Sequence, residues 1–210
     1  MKITDVVPQQ KNKNRVSVFV DGEYSFSLDG ADALRLGVKI DAEITDKDIE
    51  VYNLESNLSK AKAKAFDIVS RKQVTERELR LKLADKGYDK MICDIVIETM
   101  REYNYINDAD YCETFLEYAK SKGWGILKIR SELKRRGVDD KTVNTALEEF
   151  SDCPEDRVYD ILCRKFADID IKDFKQKQKI MRFFGTRGFD FESIQNAIGR
   201  FEAETGEDFE

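Results

Sequence analysis

Residues 79–88 read LRLKLADKGY, residues 129–138 read IRSELKRRGV and residues 180–189 read IMRFFGTRGF. Each stretch places two apolar residues four positions apart, with a glycine four positions after the second. Residues at i and i+4 lie on one face of a helix, and glycine just past the last turn is a common helix stop. The sequence therefore predicts three helices that end in the same way, 50 and 51 residues apart.

A second apolar pattern follows each glycine at the same offsets. Its residues occupy positions i, i+3, i+4 and i+7, which form one amphipathic helical stripe. The three copies are Cys93, Val96, Ile97 and Met100; Val143, Ala146, Leu147 and Phe150; and Ile194, Ala197, Ile198 and Phe201. Because Cys93 takes the place of Val143 and Ile194, we interpret it as a small core residue.

A third helical pattern precedes each glycine-terminated helix, so each unit consists of three helices. The residues are Ala61, Ala65, Ile68 and Val69; Tyr111, Phe115, Tyr118 and Ala119; and Val158, Tyr159, Leu162 and Phe166. Thr75 with Glu78 fits a capping box, and Asn107 begins a run of capping residues. A unit of about 50 residues is marginally stable alone, so we expect neighbouring units to bury surface against each other.

The N-terminal segment differs from the repeats. Residues 15–28 alternate with period two about a central Asp-Gly pair, which predicts a β-hairpin. A two-residue turn sets Phe19 opposite Tyr24, whereas a three-residue loop sets Val18 opposite Phe26 and gathers the aliphatic residues on one face. We favour the second register.

The predicted fold is mainly α, with three tandem three-helix-bundle repeats in an elongated curved array and a small N-terminal β-hairpin plus helices. The two helices of the N-terminal segment are expected over residues 31–36 and from Thr45 to about Asn57. The expected division is an N-terminal extension over 1–58, repeat 1 over 59–106, repeat 2 over 107–152, and repeat 3 with an acidic tail over 153–210.

The composition excludes several classes of protein. The chain has no histidine, which rules out Ser-His-Asp and Cys-His catalysis, and it has no Walker or GxGxxG phosphate loop. Its four cysteines form no CxxC pair, so we expect reduced thiols and no metal site. No apolar run approaches the roughly 20 residues of a membrane helix, and no signal peptide is visible. We expect a cytoplasmic protein that is not an enzyme and needs no cofactor.

Positive charge recurs around the glycine-terminated helices. Residues 60–90, 120–136 and 172–188 together carry sixteen net positive charges, although the formal net charge of the chain is −6. Cations on one helix usually only solvate an exposed face, but the same excess on three equivalent helices indicates a repeated basic surface. Phosphate groups or an acidic protein surface would bind such a surface.

Two further features allow alternative interpretations. Trp124 lies between two glycines at the position of Val74 in repeat 1, and we favour a buried plug over an exposed stacking platform. The acidic residues 202–210 are interpreted as a solvated, frayed end of the chain.

Three motifs in residues 75–138 resemble one known family. The stretch TERELRLKLADKG matches its ER-x-L-x-x-KL-x-x-KG pattern, and YINDADY matches its Y-I-N-D-x-x-Y pattern. Residues 122–138 match K-x-x-G-x-x-x-I-x-x-EL-x-x-(K/R)G(V/I). The sequence strongly resembles the RecX family, well over residues 60–150 and less distinctly over the third repeat.

The resemblance implies a non-enzymatic regulator of the RecA recombinase. RecX-like proteins are tandem three-helix repeats that lie along the groove of the RecA filament on single-stranded DNA. They restrain its ATP hydrolysis, strand exchange and co-protease action in DNA repair, recombination and the SOS response, and some also bind DNA. We expect a monomer with no membrane contact.

As a hypothesis, contact with the filament or its DNA is made by basic residues in and around the second helix of each repeat. They are Arg77, Arg80, Lys82 and Lys86 in repeat 1; Lys122, Arg130, Lys134, Arg135 and Arg136 in repeat 2; and Lys177, Lys179, Arg182 and Arg187 in repeat 3.

Two other functions remain open at this point. A DNA-binding helical-repeat protein that acts without RecA would lose affinity for bare DNA steeply with rising salt. A helical scaffold for an acidic protein partner would not bind naked DNA.

Overall fold

The computed structural model describes residues 1–150, 153–167, 169, 171 and 173–207. Within these residues the strands are β1 (Ile3–Pro8), β2 (Arg15–Val20) and β3 (Glu23–Asp29). The helices are α1 (Gly30–Arg35), α2 (Asp46–Val69), α3 (Glu76–Ala84), α4 (Lys90–Glu102), α5 (Asp108–Ser121), α6 (Ile126–Arg135), α7 (Asp140–Glu149), α8 (Pro154–Lys165), α9 (Phe174–Thr186) and α10 (Phe191–Glu207). The predicted mainly α class, with three three-helix repeats after a small β-containing segment, is confirmed.

The chain forms two compact units, which divide differently from the predicted segments. The first unit contains Met1–Gln73 and Leu79–Ile106, and the second contains Val74–Glu78 and Asn107–Glu210. Repeat 1 comprises the second half of α2 with α3 and α4, repeat 2 comprises α5 to α7, and repeat 3 comprises α8 to α10. The residue bounds of the four predicted segments stay a prediction.

The N-terminal sheet has one strand more than the predicted hairpin. Its three strands are antiparallel in the order β1-β2-β3. In β1 only Ile3 is buried, so this edge strand lacks the strict apolar alternation that marks a strand in the sequence. The hairpin prediction was therefore incomplete.

The hairpin itself contains both of the registers that the sequence allowed. Phe19 pairs with Tyr24 beside the turn, whereas Val18 pairs with Phe26 one step further on. A β-bulge at Ser25 takes up the difference between the two registers. The bulge combines a two-residue turn with one buried aliphatic face, because Val18 and Phe26 then both point into the core.

Helix α2 replaces two predicted helices. We expected one helix to end near Asn57 and another to begin before Ala61, but the helix runs unbroken from Asp46 to Val69. No glycine or proline interrupts this stretch, and its buried Ser56 accepts a 2.9 Å hydrogen bond from Arg15 Nη2. Since α2 packs against both β3 and α4, it joins the sheet to repeat 1 within the first unit.

Most of the predicted core positions are confirmed, but Tyr118 in the first-helix pattern of repeat 2 is exposed. The i, i+4 pairs of the three second helices have no exposed surface: Leu79 and Leu83, Ile129 and Leu133, Ile180 and Phe184. In the third helices the stripes of α4 and α10 are buried, while Leu147 and Phe150 of the α7 stripe are half-buried. Repeats 2 and 3 have separate core clusters, so each packs around its own interior. Each fully buried Leu, Ile or Phe contributes about 1.5–3 kcal/mol.

The three second helices end as predicted. Gly87, Gly137 and Gly188 have φ values of 86°, 86° and 81°, a left-handed conformation that glycine adopts without a Cβ penalty. The next residue in each case donates a backbone hydrogen bond across the last turn: Tyr88 to Leu83 at 3.3 Å, Val138 to Leu133 at 3.2 Å and Phe189 to Phe184 at 3.2 Å. This is the Schellman arrangement, repeated three times.

The predicted helix starts are also confirmed. Thr75 Oγ1 accepts a 3.1 Å hydrogen bond from Glu78 N, which is one of the two bonds of the predicted capping box, and Asn107 Oδ1 accepts one of 3.0 Å from Ala109 N. The acidic tail is partly different from the prediction, because α10 continues to Glu207 and does not fray before that residue. Residues 208–210 of the tail lie outside the described residues.

Candidate functional site

Within the second unit, second helices of successive repeats meet end to end. At the first junction, between the start of α3 and the end of α6, Thr75 Oγ1 donates a 2.7 Å hydrogen bond to the Arg136 carbonyl. At the second junction, between the start of α6 and the end of α9, Gly125 N donates to the Arg187 carbonyl at 2.8 Å and Leu127 N donates to the Gly188 carbonyl at 3.0 Å. The last carbonyls of one helix thus satisfy the first donors of another.

The glycines at these junctions leave no room for a side chain. A Cβ on Gly188 would overlap the backbone of Lys128, and a Cβ on Gly125 would overlap the backbone of Gly188. A Cβ on Gly137 would overlap the side chain of Arg77. The close approach of the helix ends therefore depends on glycine in both junctions.

The predicted contact residues of repeat 1 have different surroundings. Arg77, at the start of α3, lies against Gly137 through its aliphatic carbons. Arg80 forms an ion pair with Asp94 of α4. Lys82 is half-buried, whereas Lys86 is exposed at the end of the helix.

In repeat 2 most of the predicted cations already have partners. Arg130 donates a hydrogen bond to Asn144, at the repeat position where Arg80 meets Asp94. The Lys134 ammonium lies 2.6 Å from a carboxylate oxygen of Asp140, and Arg135 lies 2.8 Å from one of Glu132. Lys122 is exposed, with its ammonium 5.5 Å from the ring centre of Tyr118.

Arg136 is a half-buried cation of this set. Its guanidinium lies 5.0 Å from the ring centre of Phe115, donates a hydrogen bond to the Tyr111 hydroxyl and lies 3.5 Å from the Glu78 carboxylate. Burial raises the pKa of Tyr111, so its hydroxyl stays protonated and neutral at physiological pH. These contacts place Arg136 in the packing of the first junction, where it holds α5, α6 and the start of α3 together.

In repeat 3 the predicted cations divide between paired and exposed. Lys177 lies 3.2 Å from Glu202, and the Arg187 guanidinium stacks 3.6 Å from the ring centre of Phe183. Lys179 and Arg182 are exposed on α9. The structure therefore gives the thirteen predicted residues unequal access to a partner, and their role as contacts stays a prediction.

The sequence prediction overlooked a cationic cavity in the second unit. It has a volume of about 540 Å³ and lies between the end of α5, helix α8 and the end of α9. Its charged lining residues are Lys120, Lys122, Arg157, Asp160, Arg164, Lys165 and Arg187. Lys122 and Arg187 belong to the predicted set, whereas the other four cations lie outside the second helices. Cations in the last turns of α5 and α8 look ordinary in sequence because they complement the helix dipole, so no local signal distinguishes them.

Trp124 is neither a fully buried plug nor a free stacking platform. Its half-buried indole packs edge-to-face against Phe115 and Tyr118, at centroid distances of 6.1 Å and 6.0 Å. The Lys128 ammonium covers the ring at 4.4 Å from its centre. The indole therefore contributes to the core edge of repeat 2 and to its surface.

The cysteines contribute packing to the fold. Cys93 and Cys112 are buried, and burial raises the pKa of Cys112 to about 11. A thiol with that pKa is protonated at neutral pH and therefore a poor nucleophile. Among the described residues, no group of three or more cysteine or carboxylate side chains could hold a metal ion. No helix in the same part of the chain is long and apolar enough to cross a membrane.

Three-helix repeats in tandem define a class of fold, the helical-repeat proteins. Four family models match the chain: the RecX N-terminal domain over residues 1–45, and the first, second and third three-helix domains of RecX over 61–100, 107–147 and 154–198. The chain belongs to the RecX family of regulatory proteins.

Relatives and solved structures agree with this assignment. The regulatory protein RecX of Caldanaerobacter subterraneus subsp. tengcongensis is 30% identical over 198 residues, which cover 94% of this chain and 98% of the relative. That of Clostridium beijerinckii is 30% identical over 212 residues, covering 99% of each chain. A crystal structure of regulatory protein RecX matches with a TM-score of 0.75 and 20% identity, covering 94% of this chain and 98% of that one. The RecX structure from Lactobacillus salivarius has a TM-score of 0.61 and 19% identity, covering 70% of this chain and 97% of that one.

Proposed function

We propose that this protein regulates the RecA recombinase, mainly as an inhibitor, by binding along the groove of the RecA filament on single-stranded DNA. In this proposal it modulates the ATPase, strand exchange and co-protease activities of RecA in DNA repair, recombination and the SOS response. It acts as a cytoplasmic monomer and has no catalytic activity of its own. Membership of the RecX family supports the proposal.

The observation that carries the proposal is the repetition of the second helices with equivalent ends. A filament presents identical subunits at regular intervals, and a protein with several equivalent surfaces can contact several subunits at once. Each contact can be weak, because after the first one forms the others act at a high effective concentration. A chain of repeated modules therefore suits a polymeric partner better than a single compact target.

The accessible cations of these helices are the contacts that we propose. Lys134 and Arg135 are exposed although they have carboxylate partners, and such surface ion pairs contribute only about 0–1 kcal/mol. A phosphate or a carboxylate of the filament can therefore replace the internal partner at small cost. Arg136 is a weaker candidate because it packs in the first junction, whereas Arg77 is exposed although its aliphatic carbons lie against Gly137.

The test is the RecA ATPase on single-stranded DNA, titrated with this protein. Charge reversal at Arg130, Lys134 and Arg135 together should raise the concentration needed for half-inhibition by at least about tenfold, since three contacts become repulsive. The matched control reverses the charge at Lys11, Lys13 and Lys39, which are exposed on the N-terminal segment. Circular dichroism checks that both variants keep the helix content of the native chain.

Two results would count against the proposal. If the triple variant and its control inhibit RecA equally, the second helix of repeat 2 does not contact the filament. If the unaltered protein has no effect on the RecA ATPase at any concentration, the proposed function is wrong.

A further inference from the structure

The cationic cavity between α5, α8 and α9 has the features of an anion site. We call it the junction pocket and define it by Lys120, Lys122, Arg157, Arg164, Lys165 and Arg187. Asp160 is the one acidic residue of its lining, so the lining has a net charge of +5. Because the whole chain has a net charge of −6, this concentration of positive charge is not a property of the composition.

Helix dipoles do not account for the charge of the junction pocket. Three helices end beside it: α5 at Ser121, α8 at Lys165 and α9 at Thr186. Each helix C-terminus is equivalent to roughly −0.5 elementary charge, so the three of them neutralise about 1.5 of the positive charges of the lining. Even without Arg157, whose guanidinium donates to the Trp124 carbonyl, the lining exceeds this by more than two charges, and that excess is available to a ligand.

Five of the six cations of the junction pocket also lack the carboxylate partners found on the second helices. Among the described residues, no ion pair joins a carboxylate to Lys120, Lys122, Arg164, Lys165 or Arg187. By contrast, Arg80, Lys134, Arg135 and Lys177 each have one within 3.2 Å. Surface cations attract an external anion most strongly where no internal anion already reduces their field.

Aromatic rings orient two of these cations without neutralising them. The Arg187 guanidinium lies 3.6 Å and the Lys165 ammonium 4.7 Å from the ring centre of Phe183. Nearby, Arg157 Nη2 donates a 2.7 Å hydrogen bond to the Trp124 carbonyl. A ring face or a carbonyl fixes a cation in place, and the remaining N–H groups still point to other acceptors.

We infer that the junction pocket binds phosphate groups, through the combined donors of its lysines and arginines. Arginine forks suit phosphate oxygens, and lysines add point charge. Cations already cover Phe183, so this ring does not stack on a base, and recognition is independent of nucleotide sequence. The phosphates belong either to the backbone of a single-stranded nucleic acid or to a free polyphosphate. The inference does not rest on the proposed function, because it requires no RecA.

The experiment measures binding of a fluorescent 20-nucleotide oligothymidylate by anisotropy, at several salt concentrations and without RecA. The pocket variant carries Arg164→Glu and Lys165→Glu, two exposed residues of α8 outside the predicted second-helix set. The matched control carries Lys11→Glu and Lys13→Glu, which make the same charge change on the first unit. We expect the pocket variant to bind the oligonucleotide at least about tenfold more weakly, while the control keeps native affinity. The slope of log K against log salt concentration should also be smaller in the pocket variant, by the amount that about two lost phosphate contacts produce.

A competition arm distinguishes the two sources of phosphate. If inorganic triphosphate displaces the oligonucleotide from the native chain but does not displace the residual oligonucleotide bound by the pocket variant, the junction pocket also accepts free polyphosphate. Failure of triphosphate to displace it identifies the extended backbone as the ligand.

A second variant guards against misfolding. Lys122→Glu changes one exposed residue after α5. It should lower the affinity for the oligonucleotide about threefold and leave the circular dichroism spectrum unchanged. Equal affinity of the native chain, the pocket variants and the Lys11/Lys13 control would overturn the inference, as would the absence of any binding to either probe at low salt. A pocket variant that loses the oligonucleotide but still inhibits RecA would leave the proposed function intact.

Discussion

The two junctions of the second unit bring helix ends together in the same way but with different atoms. At the first junction a side-chain hydroxyl, that of Thr75, donates to the Arg136 carbonyl, and the side chain of Arg77 covers Gly137. At the second junction the main chain makes the contact, since Gly125 N and Leu127 N donate to carbonyls of Arg187 and Gly188.

This difference determines how each junction responds to a change in sequence. At the first junction Arg77 Cγ and Cδ can move aside by a rotamer change, and only Arg77 Cβ, 2.6 Å from the added Cβ, requires a small backbone shift. Backbone atoms at a main-chain contact cannot move without breaking hydrogen bonds, so the second junction should tolerate almost none. Equivalent glycines in the three repeats allow a direct comparison.

The largest effect is expected for Gly188→Ala. Its φ of 81° costs an alanine roughly 1–2 kcal/mol, and the added Cβ overlaps the Lys128 backbone, which adds roughly 1–3 kcal/mol. We expect a loss of about 4 kcal/mol in the free energy of unfolding, measured by urea titration. Gly185→Ala is the control in the same helix, where a Cβ meets nothing within 4 Å, and it should be neutral or stabilising. A loss below about 2 kcal/mol would show that the second junction adapts.

Gly137→Ala should have a smaller effect. The φ of 86° carries a similar backbone cost, but the added Cβ meets only the side chain of Arg77. We expect a loss of about 2–3 kcal/mol, and about 1 kcal/mol less in a chain that also carries Arg77→Ala. The double-mutant cycle measures this coupling directly. Identical costs in the two backgrounds would contradict the packing of Arg77 on Gly137.

Thr75→Val tests the hydroxyl of the first junction. Thr75 is fully buried, and its Oγ1 both caps α3 and donates to the Arg136 carbonyl. Valine keeps the shape and loses both hydrogen bonds, so we expect about 1–2 kcal/mol of destabilisation by calorimetry or urea titration. Thr142→Val, at the start of α7 and away from the junction, should cost about 0.5 kcal/mol or less. Equal values for the two threonines would mean that the junction bond contributes nothing.

The smallest effect is expected for Gly87→Ala. Its φ is again 86°, yet a Cβ there meets nothing within 4 Å. We expect only the backbone cost of about 1 kcal/mol, which serves as the baseline for the other two glycines. A loss as large as that of Gly188→Ala in the same urea titration would show that backbone conformation, and not junction packing, dominates all three positions.

The repeats could be predicted from the sequence because their determinants are local. The i, i+4 pairs, the apolar stripes and the glycine stops all lie within one helix and its first loop, so spacing alone reveals them. Strand β1 was missed because its own pattern is weak and the six residues that join it to β2, QQKNKN, carry no two-residue hairpin turn signal. Helix α2 was divided because a polar stretch without apolar spacing looks like a boundary, although nothing in it stops a helix.

The candidate site could be predicted only in part. The excess of Lys and Arg around the second helices is visible in a charge count, but the partner of each cation is not. Arg80 meets Asp94 fourteen residues later, on the next helix, and Arg136 meets Tyr111 of the preceding one. The junction pocket is lined by residues of α5, α8 and α9, which are separated in sequence, so no sequence pattern reveals it.

The end-to-end junctions also bear on how such chains grow. Each junction needs only the first residues of one second helix and the glycine turn of another. The N-cap of α9 is Asp173, whose carboxylate accepts a 2.9 Å hydrogen bond from Lys175 N. A duplicated module inserted after repeat 3 could offer its glycine turn to that helix start without altering any existing interior. Gene duplication can therefore add repeats in steps of about 50 residues without redesigning the existing ones.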